Sequence, residues 1–394
     1  MKIMIVHNEY GVSSGEETAV QTLIETLQNH DHEVIPFIRS SAEIPEMTFG
    51  RVRAFFSGIY SFSSRKTFSQ SIQQYKPDII HVHNVFPLIS PSILAECRRA
   101  DIPVIMSLHN YRLICPHGLL AVDGQVCDRC IHGREYWCVF RNCEGDLFKS
   151  AGYALRNYVA RKRKFYLDNV TIFLALTEFQ RQMLVEHGFP ADRILTVPNS
   201  TYLTKLHKES HPGDYIGFIG RISPEKGITM LLAAARKNAK IPFKVAGAHE
   251  KMPHVLKEAP SNIEFLGHIS NNRKDLFYRN SRVIILCSVC FESFGNTLIE
   301  AMSYGKPVVA SRLAGIPEIV DHDTTGLLFE TGNADDLAEK IRYLWERPEL
   351  CHKMGQAGRE KVLQEYSPKR YYERVLTVYE KAIRLGPGGP NHKS

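Results

Sequence analysis

Tyr215-Ile-Gly-Phe-Ile-Gly220-Arg221-Ile-Ser-Pro-Glu-Lys226-Gly227-Ile228 decides the fold. Apolar residues at adjacent positions, rather than in strict alternation, mark a strand buried on both faces of a parallel sheet. The strand ends in a glycine turn, and an amphipathic helical stretch follows. Strand, turn and helix in that order form half of a βαβ unit. The same signature opens the chain. Lys2–His7 is an apolar run, Asn-Glu-Tyr-Gly11-Val-Ser-Ser-Gly15 is a turn, and Gly15–His30 is a helical stretch.

The alternation continues on both sides of this stretch. Upstream, strands are expected at Glu33–Ile38, Asp78–His83, Pro103–Leu108, Thr171–Leu176 and Arg193–Val197. Downstream, they are expected at Phe243–Gly247, Ile263–Leu266, Arg282–Cys287, Pro307–Ser311 and Gly326–Phe329. The expectation is an α/β protein of two doubly wound, Rossmann-like parallel sheets facing across a cleft. Residues 1–200 form the first domain, with a cysteine-containing loop at 115–143. A polar linker spans 201–213, and the second domain spans 214–367. A helix at 368–385 is expected to cross back to the first domain, and 386–394 to be a flexible tail. At 394 residues, two cores of this size are reasonable.

Open α/β sheets take ligands beyond the carboxyl ends of their strands, so the loops there matter most. The G-x-G-x-x-G fingerprint of dinucleotide enzymes is absent. Instead, Arg221 and Lys226 follow the Tyr215 strand, and both suit a diphosphate. After strand Arg282–Cys287 comes Cys290-Phe-Glu292-Ser-Phe294-Gly295-Asn296-Thr297-Leu298-Ile-Glu300. Asn296 is the expected N-cap of a helix running to Gly305, with Pro307 as its stop signal. Carboxylates at Glu292 and Glu300 can accept hydrogen bonds from sugar hydroxyls, and the helix start between them suits a phosphate.

These residues resemble the retaining nucleotide-sugar glycosyltransferases of the GT-B fold, family four (glycosyl transferases group 1). The resemblance rests on Gly220-Arg221-x4-Lys226-Gly227, Glu292-x7-Glu300, Ile263-Glu-Phe-Leu-Gly267 and Ala301–Glu318. It implies that Arg221 and Lys226 neutralise a donor diphosphate and that Glu300 binds the ribose. It implies that Glu292 holds donor sugar hydroxyls, with backbone amides from Phe294 through Gly295, Asn296 and Thr297 to Leu298 contacting sugar and phosphate. Gly15 would approach the diphosphate, and His109, after strand Pro103–Leu108, matches the family's histidine near the donor sugar. Many relatives carry Asp after that histidine; here it is Asn110. The resemblance makes 1–200 the acceptor-binding domain and 214–367 the nucleotide-sugar donor-binding domain, and its chemistry keeps the anomeric configuration and requires no metal cofactor. Rival activities on the same fold are a nucleotide-sugar epimerase, a phosphorylase, or a non-catalytic nucleotide-sugar-binding subunit.

Cys127-x2-Cys130, followed by Cys138 and Cys143, has zinc-ligand character. A loop of free thiols is the other reading. Nine cysteines and no long apolar leader fit a reducing cytoplasm. Apolar runs are too short for a membrane-spanning helix.

A net charge of +7 is too mild to indicate nucleic acid. Residues 1–200 hold 21 bases and 20 acids, yet 47–77 and 147–167 contain no acid at all. Those two stretches mix Lys and Arg with aromatics, a pattern that suits peripheral contact with an anionic membrane, at its inner face. The acceptor expected from this is a glycan or a lipid-linked sugar.

Overall fold

The computed structural model describes residues 1–11, 14–201, 213–248 and 252–388. Most of the expected linker and the last six residues of the expected tail lie outside the described residues. The chain divides into two units, one built from the described residues of 1–120, 128–198 and 371–394, the other from those of 121–127 and 199–370.

Fourteen strands occur among the described residues. In chain order they are β1 (Lys2–Glu9), β2 (Glu33–Ser40), β3 (Ile79–Val82), β4 (Val104–Ser107), β5 (Ala121–Val122), β6 (Gln125–Val126), β7 (Ile172–Ala175) and β8 (Ile194–Thr196). The second unit continues with β9 (Tyr215–Ile219), β10 (Phe243–Ala246), β11 (Ile263–Gly267), β12 (Ser281–Leu286), β13 (Val308–Ser311) and β14 (Gly326–Phe329).

The first sheet has the order β2-β1-β3-β4-β7-β8 and is parallel throughout. Its central strands β3, β4 and β7 are buried at every residue, as their unbroken apolar runs require. Pro36 is tolerated because β2 is an edge strand. The sheet packs Ile3, Ile5, Ile79, Ile105 and Ile172 against Val20 and Leu23 of the helix Gly15–Gln28. Tyr371, Val375, Val378 and Tyr379 from the final helix, Pro368–Leu385, join the same core.

The second sheet has the order β11-β10-β9-β12-β13-β14, again all parallel. Counted within the sheet this is 3-2-1-4-5-6, the dinucleotide-fold order, and it reverses between β9 and β12. In the first sheet the reversal falls between β1 and β3. The two ordered sheets and their helices make this a GT-B architecture.

The hairpin β5–β6 turns at Asp123-Gly124 and groups with the second unit. The sequence expectation had counted it with the first.

Two buried histidines, His81 and His83, and the partly buried His109 run through the strand ends of the first sheet. His81 lies within β3, with Nδ1 2.8 Å from the Tyr379 hydroxyl and Nε2 2.8 Å from that of Ser107. It stacks on His83, which stacks on His109. Burial pushes His81 down to about 3 and His109 to about 4, and holds His83 well below the ordinary 6.5. An unfolded histidine takes up its proton near 6.5, so the unfolded state binds more protons below that pH. Stability present above pH 6.5 is therefore lost as pH falls. His81 and His109 should each remove about 2 kcal/mol between roughly pH 7.5 and 5.0. Urea midpoints at the two pH values should show the drop, and His81→Asn should reduce it; equal midpoints would disprove the neutral cluster.

Candidate active site

The loops after β9 and β12 meet where the second sheet's order reverses. Gly227 adopts φ +72°, and a Cβ there would lie 1.9 Å from the Cys287 carbonyl oxygen. Only glycine permits this approach. The Cys287 thiol donates to the carbonyls of Lys226 and Gly227 at 3.3 and 3.5 Å, and the Val289 amide donates to the Glu225 carbonyl at 3.0 Å. Cys287 and Cys290 are thus packing residues, their thiols pushed up to about 12 by burial.

This stitching sets Lys226 beside Glu292, with Nζ 2.5 Å from Oε1. The Ser288 hydroxyl donates to the same oxygen. Burial alone would raise the Glu292 pKa, but Lys226, Ser288 and Arg221 together hold it below the usual carboxylate range. Arg221 is largely exposed and pairs with Glu225 at 3.3 Å. An exposed pair of that kind holds an arginine only weakly.

The helix Asn296–Ser303 starts at Gly295, φ +97°, with no side-chain cap. The expected cap, Asn296, instead lies inside the helix and accepts from Asn199 Nδ2 at 2.9 Å through its side chain. Gly295 brings no side chain to this helix start, and its carbonyl accepts from the Leu298 amide at 2.9 Å; helix starts of this kind suit an anion. Phe294 and Leu298 bury their side chains, leaving only their backbone for a ligand. Thr297 donates to the Ile219 carbonyl at 3.4 Å, tying the helix to the end of β9.

Glu300 accepts from Lys274 Nζ at 2.9 Å and from the Tyr278 hydroxyl at 2.6 Å. Lys274 and Tyr278 lie four residues apart on the helix Asn271–Asn280 and were not singled out in the sequence. Tyr278 stacks on Tyr304, and burial with Glu300 raises its hydroxyl pKa well above 10.

In the first unit, Gly15 is the first residue of its helix, behind the N-cap Ser14. His109 is fixed by His83, whose Nδ1 lies 2.8 Å from its Nε2. Next to them the sequence had left Tyr10, Glu16 and Arg112 unmarked. The Tyr10 hydroxyl donates to Glu16 Oε2 at 2.8 Å, and Arg112 Nη1 donates to Tyr10 at 2.8 Å. Burial raises the Glu16 pKa, with Arg112, His7 and Tyr10 pulling the other way. The available signal was placement just after a strand, β1 for Tyr10 and Glu16 and β4 for Arg112.

The cysteines of the expected zinc set, Cys127, Cys130, Cys138 and Cys143, follow the hairpin β5–β6. Among the described residues, no three His, Cys, Asp or Glu side chains are arranged to hold a metal ion. Cys127 groups with the second unit, whereas Cys130, Cys138 and Cys143 lie in the first. Cys130 and Cys138 pack with Ala154, and Cys138 is hydrogen-bonded to Cys143. That bond, with His117 and Arg141 adding to it, draws the Cys143 thiol down to about 7.

The profile for glycosyl transferases group 1 matches residues 204–361, and that for Glycosyltransferase Family 4 matches 13–204. The Bacillus anthracis N-acetyl-alpha-D-glucosaminyl L-malate synthase is 23% identical over 99% of this chain and 100% of its own length. Among solved structures, sucrose-phosphate synthase from Thermosynechococcus elongatus superposes with a TM-score of 0.72 at 16% identity, covering 97% of this chain and 99% of its own. Anabaena HepE, solved with UDP and glucose, gives 0.68 at 16% identity, covering 97% and 100%. The chain belongs to glycosyltransferase family four, the glycosyl transferases group 1.

Proposed function

We propose that this protein is a retaining glycosyltransferase. It moves a sugar from a UDP- or GDP-linked donor to a glycan or lipid-linked acceptor, in building a cell-surface polysaccharide or glycolipid on the cytoplasmic side of a membrane. The observation that carries this is the Lys226–Glu292 pair, locked at 2.5 Å beside an uncapped helix start. The N-acetylglucosaminyl product in the Bacillus relative's name and UDP with glucose in the HepE structure support the donor class.

In this reading Lys226, Arg221 and the amides after Gly295 share the diphosphate charge as the sugar–phosphate bond breaks. That is preorganised charge stabilisation, strongest where water is excluded. Glu292, kept ionised by its neighbours, accepts from donor sugar hydroxyls. Glu300 receives the ribose hydroxyls in exchange for part of its bonding to Lys274 and Tyr278. His109, neutral at working pH, offers a hydrogen bond to the donor sugar without adding charge. The diphosphate is neutralised by these groups in place of a divalent cation.

Membrane contact has its own support. Helices Gly50–Ile59 and Leu147–Lys162 pack closely, the Phe55 and Phe148 rings 4.7 Å apart and Gly152 making room for Phe55. Around them Phe49 is 80% exposed, Phe62 79% and Phe56 62%, alongside exposed Arg51 and Arg53. Aromatic side chains with bases among them match an anionic lipid interface. No helix among the described residues is long and apolar enough to cross a membrane.

Nucleoside diphosphate release from a UDP- and GDP-sugar panel, with a lipid-linked acceptor extract, tests the site. Lys226→Ala and Glu292→Gln should each slow release by about 100-fold or more in protein that still melts cooperatively. EDTA should leave the rate unchanged. Full activity in the double variant would refute the assignment, and an inverted anomeric centre in the product would refute retention.

For the membrane, the chain should co-sediment with vesicles containing phosphatidylglycerol and not with pure phosphatidylcholine. Phe49→Ser with Phe56→Ser should weaken that binding roughly tenfold or more. Undiminished binding would exclude this surface.

A further inference from the structure

The short helix Trp137–Phe140 ends in a turn that sets two thiols against each other. The Asn142 amide donates to the Val139 carbonyl at 3.0 Å, and the Cys143 amide donates to the Cys138 carbonyl at 3.1 Å. Asn142 adopts φ +45°. Two bonds in this pattern, closed by a left-handed residue, make a Schellman turn. Such a turn brings a side chain of the last helical turn against that of the second residue past the cap, ordinarily as an apolar contact. Here those two residues are Cys138 and Cys143. The Ser150 hydroxyl, from the helix Leu147–Lys162, pins the turn from outside. It donates to Asn142 Oδ1 at 3.2 Å and accepts from the Glu144 amide at 3.2 Å.

The pair is asymmetric. Cys138 is fully buried and packs with Cys130 and Ala154, whereas Cys143 is half-buried and open to a small reagent. The two thiols share a hydrogen bond. His117 and Arg141 lie close enough to Cys143 to favour its thiolate. Glu144, the next residue, is occupied with His117 Nδ1 at 2.6 Å and Lys149 Nζ at 2.9 Å. Elsewhere, Cys97, Cys115, Cys287, Cys290 and Cys351 are buried with their thiols pushed up. Thiols buried in that way are inert, while an accessible thiolate touching a second thiol is the arrangement of a reactive dithiol.

We propose that Cys143 and Cys138 form a redox-active pair that reacts with small-molecule disulfides, Cys143 attacking and Cys138 resolving. The Cys143 thiolate attacks one sulfur of a disulfide R–S–S–R. That S–S bond breaks, RS⁻ leaves, and Cys143 carries the other half as a mixed disulfide. The departing RS⁻ takes the proton of Cys138. The Cys138 sulfur then attacks the Cys143 sulfur and releases the second RS⁻, which is protonated by water. Two cysteine thiols lose two electrons in all, and one small disulfide becomes two thiols. The proposal rests on the turn and its two thiols, not on the glycosyltransferase reading.

Incubating the full chain with oxidised glutathione at neutral pH, alkylating the remaining thiols and mapping tryptic peptides by mass spectrometry tests the pair. Trypsin cuts after Arg141, so the bond should link Glu135–Arg141 to Asn142–Lys149 as the main product, and a reductant should separate the two. Cys143→Ser should abolish the linked product. Cys138→Ala should stop the reaction halfway, leaving glutathione on Asn142–Lys149. The wild-type map decides the matter even where Cys138→Ala does not fold. Cys143 bridged to Cys127 or Cys130 instead, glutathione persisting on wild-type Cys143, or complete alkylation of both thiols would overturn the proposal. One equivalent of zinc in the purified chain, shielding Cys138 and Cys143 from alkylation, would overturn it as well.

Discussion

The second unit depends on one contact, the backbone of Gly227 against the Cys287 carbonyl. It brings the loop after β9 onto the end of β12, and no residue with a Cβ could take that place. Three consequences follow. Lys226 must lie beside Glu292. The Cys287 thiol finds two carbonyls, so a buried sulfhydryl is satisfied without leaving the core. The loop backbones are joined through Val289 and Glu225. An ion pair with side chains only 20% and 12% exposed is held there by geometry more than by net electrostatic gain. Desolvating two charges offsets most of their attraction, and removing one partner leaves the other stranded. A pair of that kind suits a site that must offer its cation to an incoming anion, because the lysine exchanges one negative partner for another.

The first unit solves a different problem, burying imidazoles without charging them. Tyr379 of the last helix and Ser107 of β4 occupy both nitrogens of His81. His81 stacks on His83, which orients His109. Packing of the last helix against the sheet is thus linked, through two rings, to His109. A neutral imidazole keeps a defined tautomer only while its partner bonds persist.

All twelve strands of the two large sheets were legible in the sequence, because strands buried on both faces read as unbroken apolar runs. Their ends differ from expectation by one or two residues, where exposure rather than hydrophobicity decides. The hairpin β5–β6 was passed over, although Asp123-Gly124 is a turn signal; strands of two residues, with Gln125 and Val126 exposed, carry no apolar pattern. The positions of Arg221, Lys226 and Glu292 in loops after strands, and of Glu300 on the helix that follows, were legible because strand, turn and helix recur in order. Lys274 and Tyr278 were not, since they reach Glu300 from a helix more than twenty residues upstream, where a Lys and a Tyr at i and i+4 look like any helix face.

The two sheets share a plan, and their switch points differ in chemistry. Beside β9 and β12 the groups are charged and paired. Beside β1 and β3 the histidines are neutral, one carboxyl is held by a tyrosine and an arginine, and several donors and acceptors are left unpaired together. Charged groups make sense where negative charge must be received and grows as a bond breaks. The same open-sheet geometry therefore carries either set of groups, and the side chains at the strand ends decide which chemistry it supports.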